Sequence, residues 1–235
     1  MKKILVAVAA APLVAAGASA VAANDRHPLP DGFVYLDQAI PDLAIDLRYA
    51  TANNFVGQRI DGYRHARAVL SAPAATVLAG VQAALRPFGL GLKVFDAYRP
   101  QQAVDHFVRW GRDLDDQRTK PDYYPDVAKE NLFEEGYIAS RSSHSRGSTV
   151  DITIVYRDGD GLLRELDMGS PFDYFGPVSW PDSREVTPQQ RANRALLKGL
   201  MTAQGFLPYA QEWWHFTLSG EPYPDTYFDF LSRRP

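Results

Sequence analysis

Alternation and periodicity of apolar residues divide the chain, from about residue 33 onward, into short strands and three helices. "FVYLD" (33–37) and "LAIDLRYA" (43–50) read as strands, the second alternating Leu43, Ile45 and Leu47. "SAPAATVLAGVQAALRPFG" reads as a helix with Ser71 as N-cap and the Pro87 to Gly89 region as its end. "LGLKVFDAY" is a strand that runs into Arg99 and Pro100, where proline stops it. "QQAVDHFVRWGRD" is a helix with Val104, Phe107 and Val108 on one face, and an irregular stretch rich in Asp, Tyr and Pro follows from about 113 to 143. "TVDITIVYR" and "LLRELDM" flank "DGDG", a hairpin signal. Thr187 caps a helix over "PQQRANRALLKGLMTAQG" that ends on Gly205, and "EWWHFTLS" is the last strand. Strands and helices mix without regular βαβ alternation. The pattern predicts one α+β domain, with a mainly antiparallel sheet and flanking helices.

The first residues follow a different rule. Met1-Lys2-Lys3 precedes the apolar run "ILVAVAAAPLVAAGA", and small residues follow at Ala18-Ser19-Ala20 and Val21-Ala22-Ala23. This is the pattern of a secretory signal over residues 1–23, cleaved between Ala20 and Ala23, which leaves the folded domain at 24–235 with no stable membrane span and a periplasmic destination. Among 235 residues there is no cysteine, so the exported domain relies on its core rather than on disulfides. Any zinc site must then be built from His, Asp or Glu. The net charge of −3, with Lys and Arg scattered, offers no nucleic-acid footprint. Oligomeric state is not readable from these features.

Two of the five histidines have chemically suggestive company. His144 stands seven residues before Asp151, and His215 closes "EWWH" three residues after Glu212. A hydrolytic zinc needs three protein ligands, an open position for water, and a base beside that water. His144, Asp151 and His215 match the ligands, and Glu212 matches the base. On a regular strand Glu212 and His215 would face opposite ways, which places Glu212 at a loop-to-strand junction or a bulge. Each residue also has a structural reading: a hydrogen-bonded histidine, a capping aspartate, a surface glutamate. His65 and His106 are read in that structural way. Arg99, at the end of a buried strand, needs a carboxylate partner such as Asp96, or else faces the oxyanion formed when water adds to a peptide carbonyl. With zinc, Asp151, Glu212 and Arg99 the site keeps net positive charge, which suits a substrate bearing a free carboxylate.

"SSHSRGSTVDIT", "DAYRP", "EWWHF" and "EPYPDTYFDF" together resemble the D-alanyl-D-alanine dipeptidases of the VanX type, zinc D,D-peptidases whose fold is shared with the Hedgehog signalling domain. The likeness runs from about Phe33 to Phe230 and includes "YATANNF", "YYPD" and the Met168 to Asp173 segment. It implies one zinc held by His144, Asp151 and His215, with Glu212 as general base and Arg99 stabilising the oxyanion. It further implies that Ser142 and Ser143 bind the substrate carboxylate, while Asp173 and Tyr49 receive the ammonium end. The implied reaction is hydrolysis of the dipeptide D-Ala-D-Ala to two D-Ala. Ala97 departs from a frequent Gly, and the "DGDGLLREL" hairpin is slightly long. Resistance-associated members are typically cytoplasmic, so an exported enzyme points instead to turnover or salvage of peptidoglycan fragments. Two other readings stay open: a periplasmic D,D-carboxypeptidase trimming stem peptides, and a non-catalytic zinc-containing module that binds wall fragments.

Overall fold

The computed structural model describes residues 29–64 and 67–232; the expected signal segment and His65 lie outside the described residues. The central strand of the main sheet is β5 (Thr149–Arg157). Its first seven residues are buried and its last two exposed. Val150, Ile152 and Ile154 enter the hydrophobic core. Asp151 and Thr153 alternate with them on the opposite face of the strand, also without solvent contact.

Around β5 the sheet is ordered β2 (Ala44–Ile45), β4 (Leu90–Asp96), β5, β8 (Glu212–Leu218), β7 (Phe206–Tyr209), with β6 (Leu163–Glu165) also pairing β5. Only β2 and β4 run parallel; every other pair in the sheet is antiparallel. A second small sheet joins β1 (Phe33–Tyr35) to β3 (Val69–Ser71). The short helices are α1 (Leu36–Ala39) and α4 (Lys120–Tyr123). The long ones are α2 (Ala72–Leu85), α3 (Gln101–Arg112) and α5 (Pro188–Ala203), and α2 packs against both β4 and α5. The expected α+β fold with a mainly antiparallel sheet is the observed one. No helix among the described residues is long and apolar enough to cross a membrane.

Local chemistry explains where the observed elements depart from the expected ones. "FVYLD" is a strand only to Tyr35, because Leu36 turns into α1 with its N–H bonded to Ala68 O at 2.9 Å. "LAIDLRYA" is extended only at Ala44–Ile45 and closes into a 3-10 turn at Arg48–Ala50. "LLRELDM" contributes only Leu163–Glu165 to the sheet. Ser71 does stand at the N-cap position of α2, yet its hydroxyl makes no cap bond. It is fully buried and bonds Ser148 Oγ at 2.7 Å, tying β3 to the loop before β5. The α5 cap is as expected: Thr187 Oγ1 accepts from Gln190 N, and Gln190 Oε1 accepts from Thr187 N.

The loop before β5 is held from two sides. Ser71 N donates to Gly147 O (2.7 Å), and Phe228 N, in the C-terminal segment, donates to Ser145 O (2.9 Å). Phe228 and Phe230 gather with Tyr223 and Tyr98 around Phe33. Gly147 has φ 82°, and a Cβ there would run into the Phe33 ring. Gly147→Ala should therefore destabilise the protein by about 2–4 kcal/mol, combining the left-handed penalty with overpacking. The check is a shift of the urea midpoint at unchanged slope; a loss below roughly 0.5 kcal/mol would contradict it.

Candidate metal centre and active site

Strand register builds the centre. Across three neighbouring strands Asp96 of β4 stands opposite Asp151 of β5, and Asp151 stands opposite His215 of β8. The first alignment exists because β4 carries a one-residue irregularity: Val94 faces Ile152, and the next paired residue is Asp96 rather than Phe95. His144 arrives from the 3-10 turn Ser143–Arg146, which Gly147 ends in a left-handed conformation. Its Nδ1 donates to Ala97 O at 2.7 Å, so Nδ1 carries the proton and the Nε2 lone pair points inward.

Three acceptor atoms then converge. His144 Nε2 and His215 Nδ1 each lie 3.2 Å from Asp151 Oδ1, and 3.3 Å from one another. On the far side of its ring, His215 Nε2 meets Ser143 Oγ at 3.3 Å, which supports the tautomer that leaves Nδ1 facing the centre. Asp151 Oδ1 is buried and makes no hydrogen bond among the described residues. With both imidazoles neutral, the three acceptors face each other with no donor between them, which is unfavourable unless a proton or a metal cation sits among them. Nitrogen and oxygen ligands about 2.0–2.1 Å from a tetrahedral zinc stand about 3.3 Å apart, and the triangle matches that spacing. These residues fit zinc of the three-ligand, catalytic type.

Glu212 opens β8, and the pairing of β7 with β8 slips between Pro208 and Tyr209, so that Tyr209 faces Glu212. This irregularity brings Glu212 Oε2 to 3.3 Å from His215 Nδ1, resolving the conflict between a three-residue spacing and a shared face. Burial alone would lower the His215 pKa, but bonds and charges from Asp151 and Glu212 outweigh it and raise it to about 9. Asp151 is pushed up by burial and pulled down more strongly by the two imidazoles, ending below the ordinary carboxylate range. Both effects mark a spot that attracts positive charge, and a dication supplies more of it than a proton does.

Arg99 does pair with Asp96, its Nε donating to Oδ2 at 2.9 Å. The same guanidinium also reaches Ser142 Oγ (3.4 Å) and Asp151 Oδ2 (3.5 Å) and lies over the Tyr49 ring at 5.0 Å. Both roles considered for Arg99, pairing and facing the cavity, are thus compatible. Asp96 is fully buried and is the hub beneath it, accepting from Tyr63 Oη at 2.5 Å and lying 3.6 Å from His144 Nδ1. Nothing in "DGYRHA" signals Tyr63 from sequence. Tyr49 Oη donates to Asp173 Oδ1 at 3.1 Å. Asp173 has φ 63°, the one positive φ outside glycine among the described residues, and its Oδ2 is buried without a hydrogen bond. Burial first, then the nearby Asp151 charge, push the Asp173 carboxyl well above its usual range. Ser142 Oγ also accepts from His144 N (3.3 Å), closing the turn that presents the histidine.

All of these side chains except His144, Asp96 and Tyr63 line one cavity of about 390 Å³, in the range of small-ligand sites. Tyr137, Arg141, Leu207 and Tyr209 also line it. His106 lies apart, accepting from Asp61 N at 3.1 Å through Nδ1 and meeting Gln58 Nε2 at 3.0 Å, as its structural reading expects.

Comparison with known proteins agrees with the geometry. A family model described as D-ala-D-ala dipeptidase, peptidase family M15, matches residues 30–233. A D-alanyl-D-alanine dipeptidase of Streptomyces coelicolor is 42% identical over 198 residues, covering 84% of this chain and 96% of its own. Those of Enterococcus faecalis and Escherichia coli are 40% and 39% identical, covering 86% and 76% of this chain and 98% and 80% of theirs.

If the acceptor triangle holds the metal, the purified protein carries one zinc per chain by elemental analysis. Asp151→Asn should weaken zinc binding by more than about 100-fold, beyond the cost of losing a merely supporting partner, whereas Glu212→Gln should keep the metal. Equal zinc affinity in Asp151→Asn and the parent would contradict the assignment.

Proposed function

The chain belongs to the D-ala-D-ala dipeptidases of peptidase family M15, and from that membership we propose that it hydrolyses the dipeptide D-Ala-D-Ala to two molecules of D-alanine with one zinc ion per chain. The observation that carries this reading is a line of polar groups along the cavity that suits the two ends of a dipeptide. The buried Asp173 Oδ2 has no hydrogen-bond partner, and a substrate ammonium beside it supplies the positive charge that favours its ionised form. From there Tyr49, Arg99 and Ser142 succeed one another by contact toward the His144 turn, where Ser142 and Ser143 suit a carboxylate. A cavity that reads both ends of a dipeptide rejects longer peptides, because an added residue buries polar groups without partners.

When bound, zinc supplies a Lewis acid that polarises the scissile carbonyl and brings the pKa of a coordinated water near 7. Glu212 takes the proton of the attacking water and hands it to the leaving amine. Arg99 donates to the carbonyl oxygen as it gains charge, held for that purpose by Asp96. Its ring contact with Tyr49 and bond to Asp96 fix the guanidinium before substrate arrives, so little reorganisation is needed in the transition state. His144 and His215 keep their tautomers through Ala97 O and Ser143 Oγ.

We further propose export through the signal at 1–23 and a role in turnover or salvage of wall-derived dipeptide. N-terminal sequencing of the protein from periplasmic extract should then begin between Val21 and Asn24; recovery from the cytosol with Met1 intact would overturn this.

The reaction is tested by D-alanine release from D-Ala-D-Ala and from a stem pentapeptide ending in D-Ala-D-Ala, with and without chelator. Chelator-sensitive cleavage of the dipeptide alone is expected, and Glu212→Ala should lower kcat by about 10²–10⁴-fold with zinc retained. Preferential cleavage of the pentapeptide would reassign the protein as a D,D-carboxypeptidase. Absence of both activities in the zinc-loaded protein would leave a wall-binding module.

A further inference from the structure

Arg194 sits in the middle of α5, on the same buried stripe as Leu197 and Met201. It is 2% exposed, and among the described residues no carboxylate lies within ion-pair distance of it. Instead its guanidinium spends its donors on one segment of the chain. Nε donates to Met168 O (2.6 Å), Nη1 to Trp180 O (2.7 Å) and Nη2 to Ser170 Oγ (3.4 Å). These acceptors bracket residues 168–180, the loop that carries Asp173.

The loop has little regular structure of its own beyond a 3-10 turn at Pro177–Ser179. Ser170 Oγ also receives Trp213 Nε1 at 3.0 Å and meets Ser179 Oγ at 2.9 Å, and Ser179 Oγ donates to Tyr174 O at 2.6 Å. Arg194 is therefore the node through which both ends of the loop are tied to α5 and, by way of Ser170, to β8. Asn193 and Gln190 of the same helix hold Asp167 just upstream. Within this frame Asp173 is kept in a left-handed conformation, which costs any residue with a Cβ some free energy although aspartate tolerates it better than most. A buried arginine is costly, and an apolar residue would fill the same stripe more cheaply if the helix needed only packing.

We propose that Arg194 is a positioning residue for recognition of the substrate's amino end: it fixes the 168–180 loop so that Asp173 Oδ2 meets the ammonium of the dipeptide. This rests on the dipeptide reading of the cavity, and it makes Arg194 act through Asp173 rather than on the metal.

The test measures binding by calorimetry to zinc-loaded protein in a Glu212→Gln background, where hydrolysis does not intervene. The two ligands are D-Ala-D-Ala and N-propionyl-D-alanine, the same skeleton without its amino group. Arg194→Lys should weaken D-Ala-D-Ala by about tenfold or more, leave N-propionyl-D-alanine within about twofold, and add no further loss once Asp173→Asn is present. Ser170→Ala, a milder change to the same node, should show the same pattern at about threefold. Equal weakening of both ligands, or an Arg194→Lys effect that persists in Asp173→Asn, would reduce Arg194 to a general strut and overturn the proposal. So would full amino-group preference in both variants, or a parent that prefers neither ligand. A parent that binds D-Ala-D-Ala with this preference but, with Glu212 restored, releases no D-alanine would defeat the proposed reaction while sustaining the inference.

Discussion

Two buried carboxylates stand side by side at the centre of the molecule, Asp96 and Asp151, opposite one another on adjacent strands. Removing each from water costs several kcal/mol even after relaxation, and their mutual repulsion adds to it. Nearby polar groups answer that cost. Asp96 takes Arg99 and Tyr63, which accounts for a half-buried guanidinium and a buried phenol meeting on one side chain. Asp151 takes two imidazoles that each present a nitrogen at 3.2 Å, and its Oδ1 still lacks a hydrogen bond. The remaining demand is for a cation, and the acceptor triangle has the size that zinc requires.

The same constraint reaches outward into the fold. His144 can serve Asp151 only if its turn is held, and both the β3 end and the C-terminal aromatic segment bond to that turn. Arg99 can face the cavity because Asp96 bonds it while its Cζ lies over the Tyr49 and Phe107 rings at 5.0 and 5.2 Å from their centroids. Tyr49 in turn leads to Asp173, so the acceptor triangle, Arg99 and Asp173 belong to one connected polar network. Burial raises the Tyr49 and Tyr63 pKa values well above the usual phenol, so both stay protonated and donate.

Much of this was legible in the chain. The long helices, the central strand and the capping box at Thr187 follow from periodicity and cap chemistry, which are local properties. So does the proximity of His144 to Asp151, since a glycine-relieved turn before a strand keeps them close. The placement of Glu212 was legible only as a contradiction, a three-residue spacing that a regular strand cannot satisfy, and the slip between β7 and β8 resolves it. What stayed hidden depends on register between strands distant in sequence. The irregularity that aligns Asp96 with Asp151 leaves no mark in "LGLKVFDAY", and Tyr63 reaches Asp96 from a segment without periodic pattern. Very short elements such as β2 and β3 were missed or overextended because two or three residues carry too little alternation to define an end. Arg194 did leave a trace, as an arginine in phase with Leu197 and Met201 on a buried helix stripe.

The central claim is that His144, Asp151 and His215 converge to bind a single divalent cation, and anomalous diffraction at the zinc edge tests it most directly. The account predicts one strong peak per chain at bonding distance from His144 Nε2, Asp151 Oδ1 and His215 Nδ1, with its remaining coordination open to the cavity. A peak elsewhere, or one bonded to fewer than three of these atoms, would contradict it.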